Sequence, residues 1–375
     1  MTTGSDIDPH GLMEFSVVFT DRSLNHMSKA FQTVMNDISS MLKDVYSASG
    51  VAIIPGGGTY AMEAVARQFA TDRRALVIRN GWFSYRWTQI FEAGDIPASA
   101  TVLKARRTGN HHQAPFAPAP IEDVTKTILD EKPDVVFAPH VETSAGIILP
   151  DDYITAVAEA VHSYGGLFVL DCIASGTIWV DMAATGVDVL ISAPQKGWSA
   201  SPAAGLVMLS DHAIARLGET QSTSFAIDLG KWYQIMQAYE GGGHAYHATM
   251  PTDALVKFRD TMLETKAIGF DTVKQQQREL GSKIRTLLAD YGIQSVAAPG
   301  FGAPGVVVSY TDDPGMQNGS KFAAHGMQIA AGVPLQVGEP DDFATFRLGL
   351  FGLDKLADVD GAVAKVKTAL DAVTR

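Results

Sequence analysis

The chain has a single cysteine, Cys172, among its 375 residues. One thiol cannot form an internal disulfide, and it excludes a zinc site built from several cysteines. No apolar run approaches the roughly 20 residues that a membrane-spanning helix requires. The N-terminal stretch MTTGSDIDPHG has no basic flank followed by an apolar segment, so no secretory signal is recognisable. We therefore expect a soluble protein of the cytoplasm.

Positive charge is also scarce in this sequence. The 29 lysines and arginines face 41 aspartates and glutamates, which gives a formal net charge of −12. A nucleic-acid-binding protein needs a basic surface to neutralise the phosphate backbone, so this balance argues against such a partner. Small anionic ligands remain possible, because they respond to local groups rather than to the net charge.

Apolar segments of strand length alternate with amphipathic segments of helix length. The strand-like segments include VAIIP, RALVIRN, DVVFAPH, GLFVLD and VDVLIS. The stretch from Arg22 to Tyr46 carries apolar residues at helical spacing and predicts the first long helix. Continuous apolar strands separated by helices indicate a mostly parallel sheet that is covered on both faces. The sequence therefore predicts an α/β fold with a large core.

After about Thr249 the pattern changes to long helices, predicted at Asp253–Leu263 and Asp271–Tyr291. Two short strands, GVVVSY and FRLGLFG, follow, and a last helix is predicted from about Leu356 to Val373. This change predicts two domains, a large one over residues 1–250 and a small α+β one over residues 251–375. The stretch HHQAPFAPAP (residues 111–120) is interpreted as a surface loop whose paired histidines are solvated rather than metal-bound.

A glycine-rich turn, Gly56 to Thr59, lies between the predicted strand VAIIP and a helix. Glycines allow a close backbone approach, and a helix N-terminus offers free N–H groups to a phosphate. The turn lacks the Lys-Ser/Thr of a Walker loop, but Gly56, Gly58 and Ala61 match part of a dinucleotide-binding fingerprint. That fingerprint needs an acidic residue after the next strand, where Asn80 is found. A tight turn without a ligand also remains open.

Two charged residues follow apolar strands further along the chain. Asp171 ends the segment GLFVLD, where α/β sheets place ligands, and Lys196 lies in the turn after VDVLIS. Taken singly, Asp171 fits a carboxylate that caps backbone amides and Lys196 fits an ordinary loop lysine. Taken together with the phosphate turn, they favour a buried amine that captures a carbonyl group. Cys172 is interpreted as a packing residue rather than a nucleophile.

Arg347 precedes an apolar strand of the predicted small domain instead of lying among other charges. The planar guanidinium suits a carboxylate ligand. An ordinary salt bridge explains the position almost equally well.

Seven motifs together resemble those of the fold-type I pyridoxal phosphate (PLP) enzymes of class V, most closely the alanine/serine–glyoxylate aminotransferases. In order they are GGGTYAMEA, NGWFSYRW, HVETSAG, DCIASG, APQKG, YHATMP and FRLGLFG. The resemblance extends from about Val51 to Pro251 and returns at Phe346–Gly352. It implies a large domain with a mostly parallel, seven-stranded sheet and a small C-terminal α+β domain.

The resemblance also implies a role for each matched position. Phosphate binding is implied for Gly57, Gly58, Thr59 and Gln195. Contacts with the cofactor ring are implied for Phe83 (stacking), Thr143 (the ring hydroxyl), Asp171 (the pyridine nitrogen) and Ile173 (packing under the ring). Lys196 would form the internal aldimine and act as general base and acid, and Arg347 would bind the substrate carboxylate. Tyr246 and Thr249 would reach the phosphate of the neighbouring subunit, which implies a homodimer with shared sites.

The reaction implied is transfer of an amino group from a small amino acid, such as alanine or serine, to glyoxylate or pyruvate. An aminophosphonate aminotransferase or a PLP lyase is an alternative, and a nicotinamide-dependent oxidoreductase is a more distant one. Two departures bear on the pocket. The Pro-Gly-Pro segment usual in the family is missing before Asp21-Arg22-Ser23, and Pro194 and Ser84 stand where the family commonly has small residues or glycine.

Overall fold

A computed structural model of the chain describes residues 5–374. Residues 1–4, which begin the stretch interpreted above as lacking a secretory signal, and Arg375 lie outside the described residues. None of the helices within residues 5–374 combines the length and the apolar composition needed to cross a bilayer.

The first half of the chain contains, in order, α1 (Lys29–Tyr46), β1 (Gly50–Pro55), α2 (Gly58–Phe69), β2 (Arg74–Arg79), α3 (Trp82–Gly94), β3 (Ser99–Lys104), β4 (Arg106–Arg107), β5 (Phe116–Ala117), α4 (Ile121–Glu131), β6 (Val135–Pro139), β7 (Val141–Glu142), β8 (Ile147–Ile148), α5 (Asp151–His162) and β9 (Leu167–Asp171). The second half contains α6 (Met182–Thr185), β10 (Val189–Ser192), β11 (Ala204–Leu209), α7 (Asp211–Leu217), α8 (Leu229–Glu240), α9 (Thr252–Ile268), α10 (Phe270–Asp290), β12 (Val306–Tyr310), α11 (Pro314–Gln317), α12 (Ser320–Ala324), β13 (Ala330–Ala331), β14 (Thr345–Gly349), α13 (Leu353–Leu356) and α14 (Val359–Val373).

The main sheet has seven strands in the order β1-β11-β10-β9-β6-β2-β3. Neighbours from β10 to β3 are parallel, whereas β11 runs antiparallel to both β1 and β10. Every residue of β6, β9, β10 and β11 is buried, so helices and loops cover both faces of the sheet. The predicted α/β fold with a mostly parallel, seven-stranded sheet is confirmed.

The first long helix begins later than its apolar spacing predicts. It starts at Lys29, because the Ser28 side chain accepts a hydrogen bond from the Phe31 N–H and caps the N-terminus. Leu24 precedes the helix but is still buried, and its N–H donates to the Asp253 carboxylate at 3.0 Å. The prediction from Arg22 was wrong at this end, because core packing continues outside the helix and prolongs the apolar pattern.

The C-terminal part contains a second, three-stranded antiparallel sheet in the order β12-β14-β13. Both long helices predicted there are present, with α9 reaching Ile268. The last predicted helix is present as α14, which starts at Val359 after its Asp358 cap, while Leu356 ends the separate short helix α13. The domain boundary near residue 250 stays a prediction. The loop at residues 111–120 is not wholly at the surface, because Phe116 is buried and pairs in β5.

Candidate active site

Several of the predicted site residues gather where the parallel strands end. Asp171 is the last residue of β9, and Ile191 of the neighbouring β10 lies beside it in register. Lys196 follows β10 within the connection to β11. The start of α3 follows β2, and Glu142 lies just beyond β6. The carboxyl ends of parallel strands meet at one edge of a sheet, which is where α/β proteins bind ligands.

The glycine-rich turn forms the N-terminus of α2. Gly57 is the N-cap in an extended conformation and carries no side chain to cap the first N–H groups, which leaves them available for an anion. A Cβ added at Gly58 would come within 2.5 Å of Ile173 Cδ1, so any larger residue would have to displace the Ile173 side chain. The adjacent Thr59 hydroxyl accepts a hydrogen bond from Arg86 Nη1 at 2.9 Å.

Asp171 is a buried carboxylate, and the protein supplies few hydrogen bonds or positive charges to stabilise its ionised form. One oxygen accepts a hydrogen bond from the Ile173 N–H at 2.9 Å. Burial raises the pKa of Asp171 to about 7, against the smaller opposing effects of that hydrogen bond and of Arg86 and Lys196. Its position is therefore suited to a cationic partner, which would restore the ionised form.

The loop that carries Lys196 lies directly on the segment after β9. A Cβ at Gly197 would overlap the backbone oxygen of Gly176, so the close contact depends on glycine. Burial lowers the pKa of Lys196, and the positive charge of Arg347 lowers it further, while Asp171 opposes the shift. A lowered pKa gives the ε-amine more of the neutral form that attacks a carbonyl carbon.

Two guanidinium groups lie near the ring of Phe83. Arg86 Cζ is 5.2 Å and Arg347 Cζ is 5.7 Å from the ring centroid. Arg347 is held in β14 by donating from Nε to the Ala331 carbonyl at 2.8 Å. Sequence reasoning missed Arg86, although its position three residues after Phe83 on a helix places both side chains on one face.

Glu142 is a second residue that sequence reasoning missed. It is fully buried and accepts hydrogen bonds from the Phe83 and Ser84 N–H groups at the start of α3, at 3.2 and 2.9 Å. The hydroxyls of Ser84 and Ser144 donate to it at 2.7 Å each. It thus caps a helix whose N-cap, Gly81, has no side chain. The serine at position 84 is explained by this contact.

We expect the Glu142→Gln variant to be less stable than the parent by about 2 kcal/mol or more. The NH₂ group of the glutamine would face N–H and O–H groups that now donate to the Glu142 carboxylate. Some of these buried donors would therefore lose their hydrogen-bond acceptor. Urea unfolding measures the difference. Glu159→Gln, on the exposed side of α5, is the matched control and should unfold like the parent. Equal stability of the Glu142 variant would contradict this account.

The remaining predicted residues differ in their surroundings. Thr143 is buried next to Glu142. The Gln195 side chain has a buried Oε1 without a partner among the described residues. Tyr246 and Thr249 are both exposed and are hydrogen bonded to each other at 3.2 Å. No hydrogen bond or ring contact within residues 5–374 joins that pair to the group around Lys196.

Cys172 is buried, and burial raises the pKa of its thiol well above the usual value. A protonated, inaccessible thiol is a poor nucleophile, which supports the interpretation of Cys172 as a packing residue.

The chain is similar in sequence and in fold to known aminotransferases. The family described as "Aminotransferase class-V" matches residues 14–300. The alanine–glyoxylate aminotransferase of Felis catus is 26% identical over 279 residues, which cover 72% of this chain but only 64% of the cat protein. The 2-aminoethylphosphonate–pyruvate transaminase of Paraburkholderia phymatum is 27% identical over 93% of this chain and 89% of its own length. The crystal structure of an alanine–glyoxylate aminotransferase from Nostoc sp. shares the fold, with a TM-score of 0.77 at 22% identity over 93% of this chain and 89% of that one.

Proposed function

Because the chain belongs to the class V aminotransferase family, we propose that it is a PLP-dependent aminotransferase with Lys196 as its reactive amine. The observation that carries the proposal is the pair Asp171 and Lys196. Asp171 ends β9 and Lys196 lies in the loop after the neighbouring β10, and each shifts the pKa of the other. A nicotinamide-dependent oxidoreductase is less well supported, because that function gives neither Asp171 nor Lys196 a role.

The residues present fit the cofactor. The free N–H groups at the start of α2 suit its phosphate, and the Gln195 amide, whose Oε1 has no partner among the described residues, can turn to donate to the same group. The buried carboxylate of Asp171 suits a protonated pyridine nitrogen. When bound, PLP supplies an electron sink for the electrons of a broken Cα–H bond.

Residues of the chain itself would stabilise charge, transfer the proton and bind the substrate. Asp171 would stabilise a positive charge on the ring nitrogen, and Phe83 would supply an apolar ring for the cofactor to pack against. Lys196 takes the proton from the substrate Cα and later returns a proton, as general base and then general acid. Arg347 binds the substrate carboxylate and so fixes which bond at Cα is broken.

For the substrates, we propose a small amino acid such as alanine or serine as donor and glyoxylate or pyruvate as acceptor. The name of the cat protein supports alanine as donor and glyoxylate as acceptor. An aminophosphonate donor is the second candidate, for two reasons. The Paraburkholderia protein matches nearly the whole chain, and Arg86 adds a second guanidinium near Phe83 that could receive a phosphonate.

A donor screen tests the proposal and separates the two candidates. Alanine, serine and 2-aminoethylphosphonate are offered to the PLP-loaded enzyme with glyoxylate, pyruvate or oxaloacetate. We expect alanine or serine to bleach the visible absorbance and to support turnover. Bleaching by 2-aminoethylphosphonate alone would establish the second candidate. Protein that stays colourless after incubation with PLP would refute both.

We expect Arg347→Gln to raise the KM for a carboxylate donor about 100-fold, because it removes a bidentate, charge-assisted contact worth about 2–3 kcal/mol. Steady-state kinetics with alanine or serine measures the change. Arg278→Gln, on the exposed face of α10, is the control and should leave KM unchanged. An unchanged KM in the Arg347 variant would assign the carboxylate to another residue.

We also propose a homodimer with shared sites. Tyr246 and Thr249 are exposed as a hydrogen-bonded pair, which leaves them free to reach a neighbouring subunit. The segment before α1 exposes the large apolar side chains of Leu12, Phe15 and Val17, at 92%, 89% and 102% of their full areas. Burial of such a segment against a second copy would remove this apolar surface from water. A cytoplasmic location remains a prediction.

A further inference from the structure

A cluster of two histidines and one aspartate lies where the parallel strands of the main sheet begin, at the opposite ends of these strands from Lys196. Asp188 directly precedes β10, His162 is the last residue of α5, and His212 is the second residue of α7. Their ligand atoms all lie within 4.8 Å of one another. None of these residues has a part in the aminotransferase site.

The carboxylate of Asp188 is the centre of the cluster. Its Oδ2 accepts from His162 Nε2 at 2.8 Å and from the Phe168 N–H at 2.9 Å. Its Oδ1 accepts from the Ser210 hydroxyl at 3.1 Å and from His212 Nδ1 at 3.2 Å. The carboxylate is thus fixed in orientation by two groups, Phe168 and Ser210, that are not metal ligands.

We propose that His162, Asp188 and His212 form a binding site for one divalent transition-metal ion. Among these ions we expect Zn²⁺ to bind. Two imidazoles and one carboxylate are a ligand set that suits zinc, and a fourth position is left for water. The ion would connect α5, the start of β10 and α7, three elements that are distant in sequence.

Tetrahedral zinc ligands at about 2.0–2.1 Å from the metal lie about 3.3 Å apart. In the cluster, His162 Nε2 is 2.8 Å from Asp188 Oδ2, His212 Nδ1 is 3.2 Å from Asp188 Oδ1, and no two ligand atoms are more than 4.8 Å apart, so rotation of the two rings would bring them to zinc spacing. The side chains of His162 and His212 are 37% and 38% exposed, so the rings can adjust and the ion can enter from solvent. The hydrogen bonds from Phe168 and Ser210 would remain as outer contacts that orient the carboxylate, as in known metal sites.

A second histidine with acidic neighbours provides a contrast. His112 faces Asp312 with Nε2 and Asp342 with Nδ1, at 3.2 and 2.9 Å. The two ring nitrogens point in different directions, so these three residues cannot share one ion. His112 is half-exposed like the two cluster histidines and therefore serves as a matched control.

Zinc binding is measured on the full-length, PLP-loaded protein without a histidine tag, at pH 8, by competition with a metallochromic indicator. We expect one Zn²⁺ per chain outside the PLP site and a rise in Tm of about 3 °C when free Zn²⁺ is a hundredfold above Kd. His162→Gln and His212→Gln should each lower the affinity at least about tenfold and reduce the Tm gain. His112→Gln should change neither. Asp188 is left intact, because its bonds to Phe168 and Ser210 support the fold.

Three results would overturn the proposal. The first is the absence of stoichiometric binding by the parent protein. The second is binding that survives in the His162→Gln/His212→Gln double variant. A lower Tm of the histidine variants without any dependence on zinc would show that the cluster is only a set of hydrogen bonds, and would also refute the proposal. Because the cluster lies away from Lys196, none of these results depends on the proposed transamination.

Discussion

Lys196→Ala is expected to lower turnover at least about 1,000-fold while leaving the protein folded. In the proposed mechanism the substitution removes both the amine that captures the cofactor and the base that moves the substrate proton, and a positioned base alone contributes about 100- to 10,000-fold. The variant should also lose the yellow absorbance of a lysine-bound cofactor. Turnover with alanine or serine and the visible spectrum after PLP addition measure the two effects.

Lys257→Ala is the control for this experiment, because Lys257 is exposed on α9 and has no part in the site. It should keep the activity and the spectrum of the parent. Since Lys196 is partly buried with a lowered pKa, removing its charge should not reduce stability. Turnover that persists in Lys196→Ala would mean that another residue carries the chemistry.

Asp171→Asn is expected to lower kcat at least about 100-fold. The asparagine has the shape of the aspartate but no charge to hold a protonated ring nitrogen, and the loss of one partner from a buried charge pair costs about 3–5 kcal/mol. Single-turnover kinetics with a saturating donor measures the chemical step separately from binding. Parent-like rates in this variant would place the charge partner of the ring elsewhere.

The same variant makes an opposite prediction for the stability of the apoprotein. The folded-state pKa of Asp171, about 7, lies above the value of 3.8 expected for an unfolded chain. Ionising the buried carboxylate therefore costs stability as pH rises from about 4 to 7, on the order of 4 kcal/mol in total. Asp171→Asn should be more stable than the parent apoprotein, and by a larger margin at pH 8 than at pH 5. Urea unfolding at the two pH values tests the sign, and equal margins would contradict it.

Much of the site was predictable because it follows strand ends. The segments before Asp171 and Lys196 are short, apolar and bounded by glycine or proline, so their ends could be located from the sequence alone. Parallel pairing of β9 and β10 then brings the two positions to one edge of the sheet. The glycines of the turn from Gly56 to Thr59 were recognisable for a similar reason, since a strand and a helix flank them directly.

Glu142 and Arg86 could not be found in this way. The role of Glu142 depends on the turn after β6 approaching the start of α3, a contact between segments 58 residues apart. Its only sequence signal is a helix that starts after glycine without a capping side chain. Arg86 is one of several polar residues on an amphipathic helix, and only the packing shows that it contacts Thr59 and Phe83. Likewise, α1 and α14 start where the Ser28 and Asp358 side chains cap their N-termini, and apolar spacing does not show these positions.

Borohydride reduction of the PLP-loaded protein tests the central claim most directly. Reduction converts a carbon–nitrogen double bond between lysine and cofactor into a stable link, and peptide mass spectrometry then locates the modified residue. We predict one pyridoxyl group per chain, on the peptide that contains Lys196. No incorporation, or incorporation at a different lysine with Lys196 unmodified, would contradict the account.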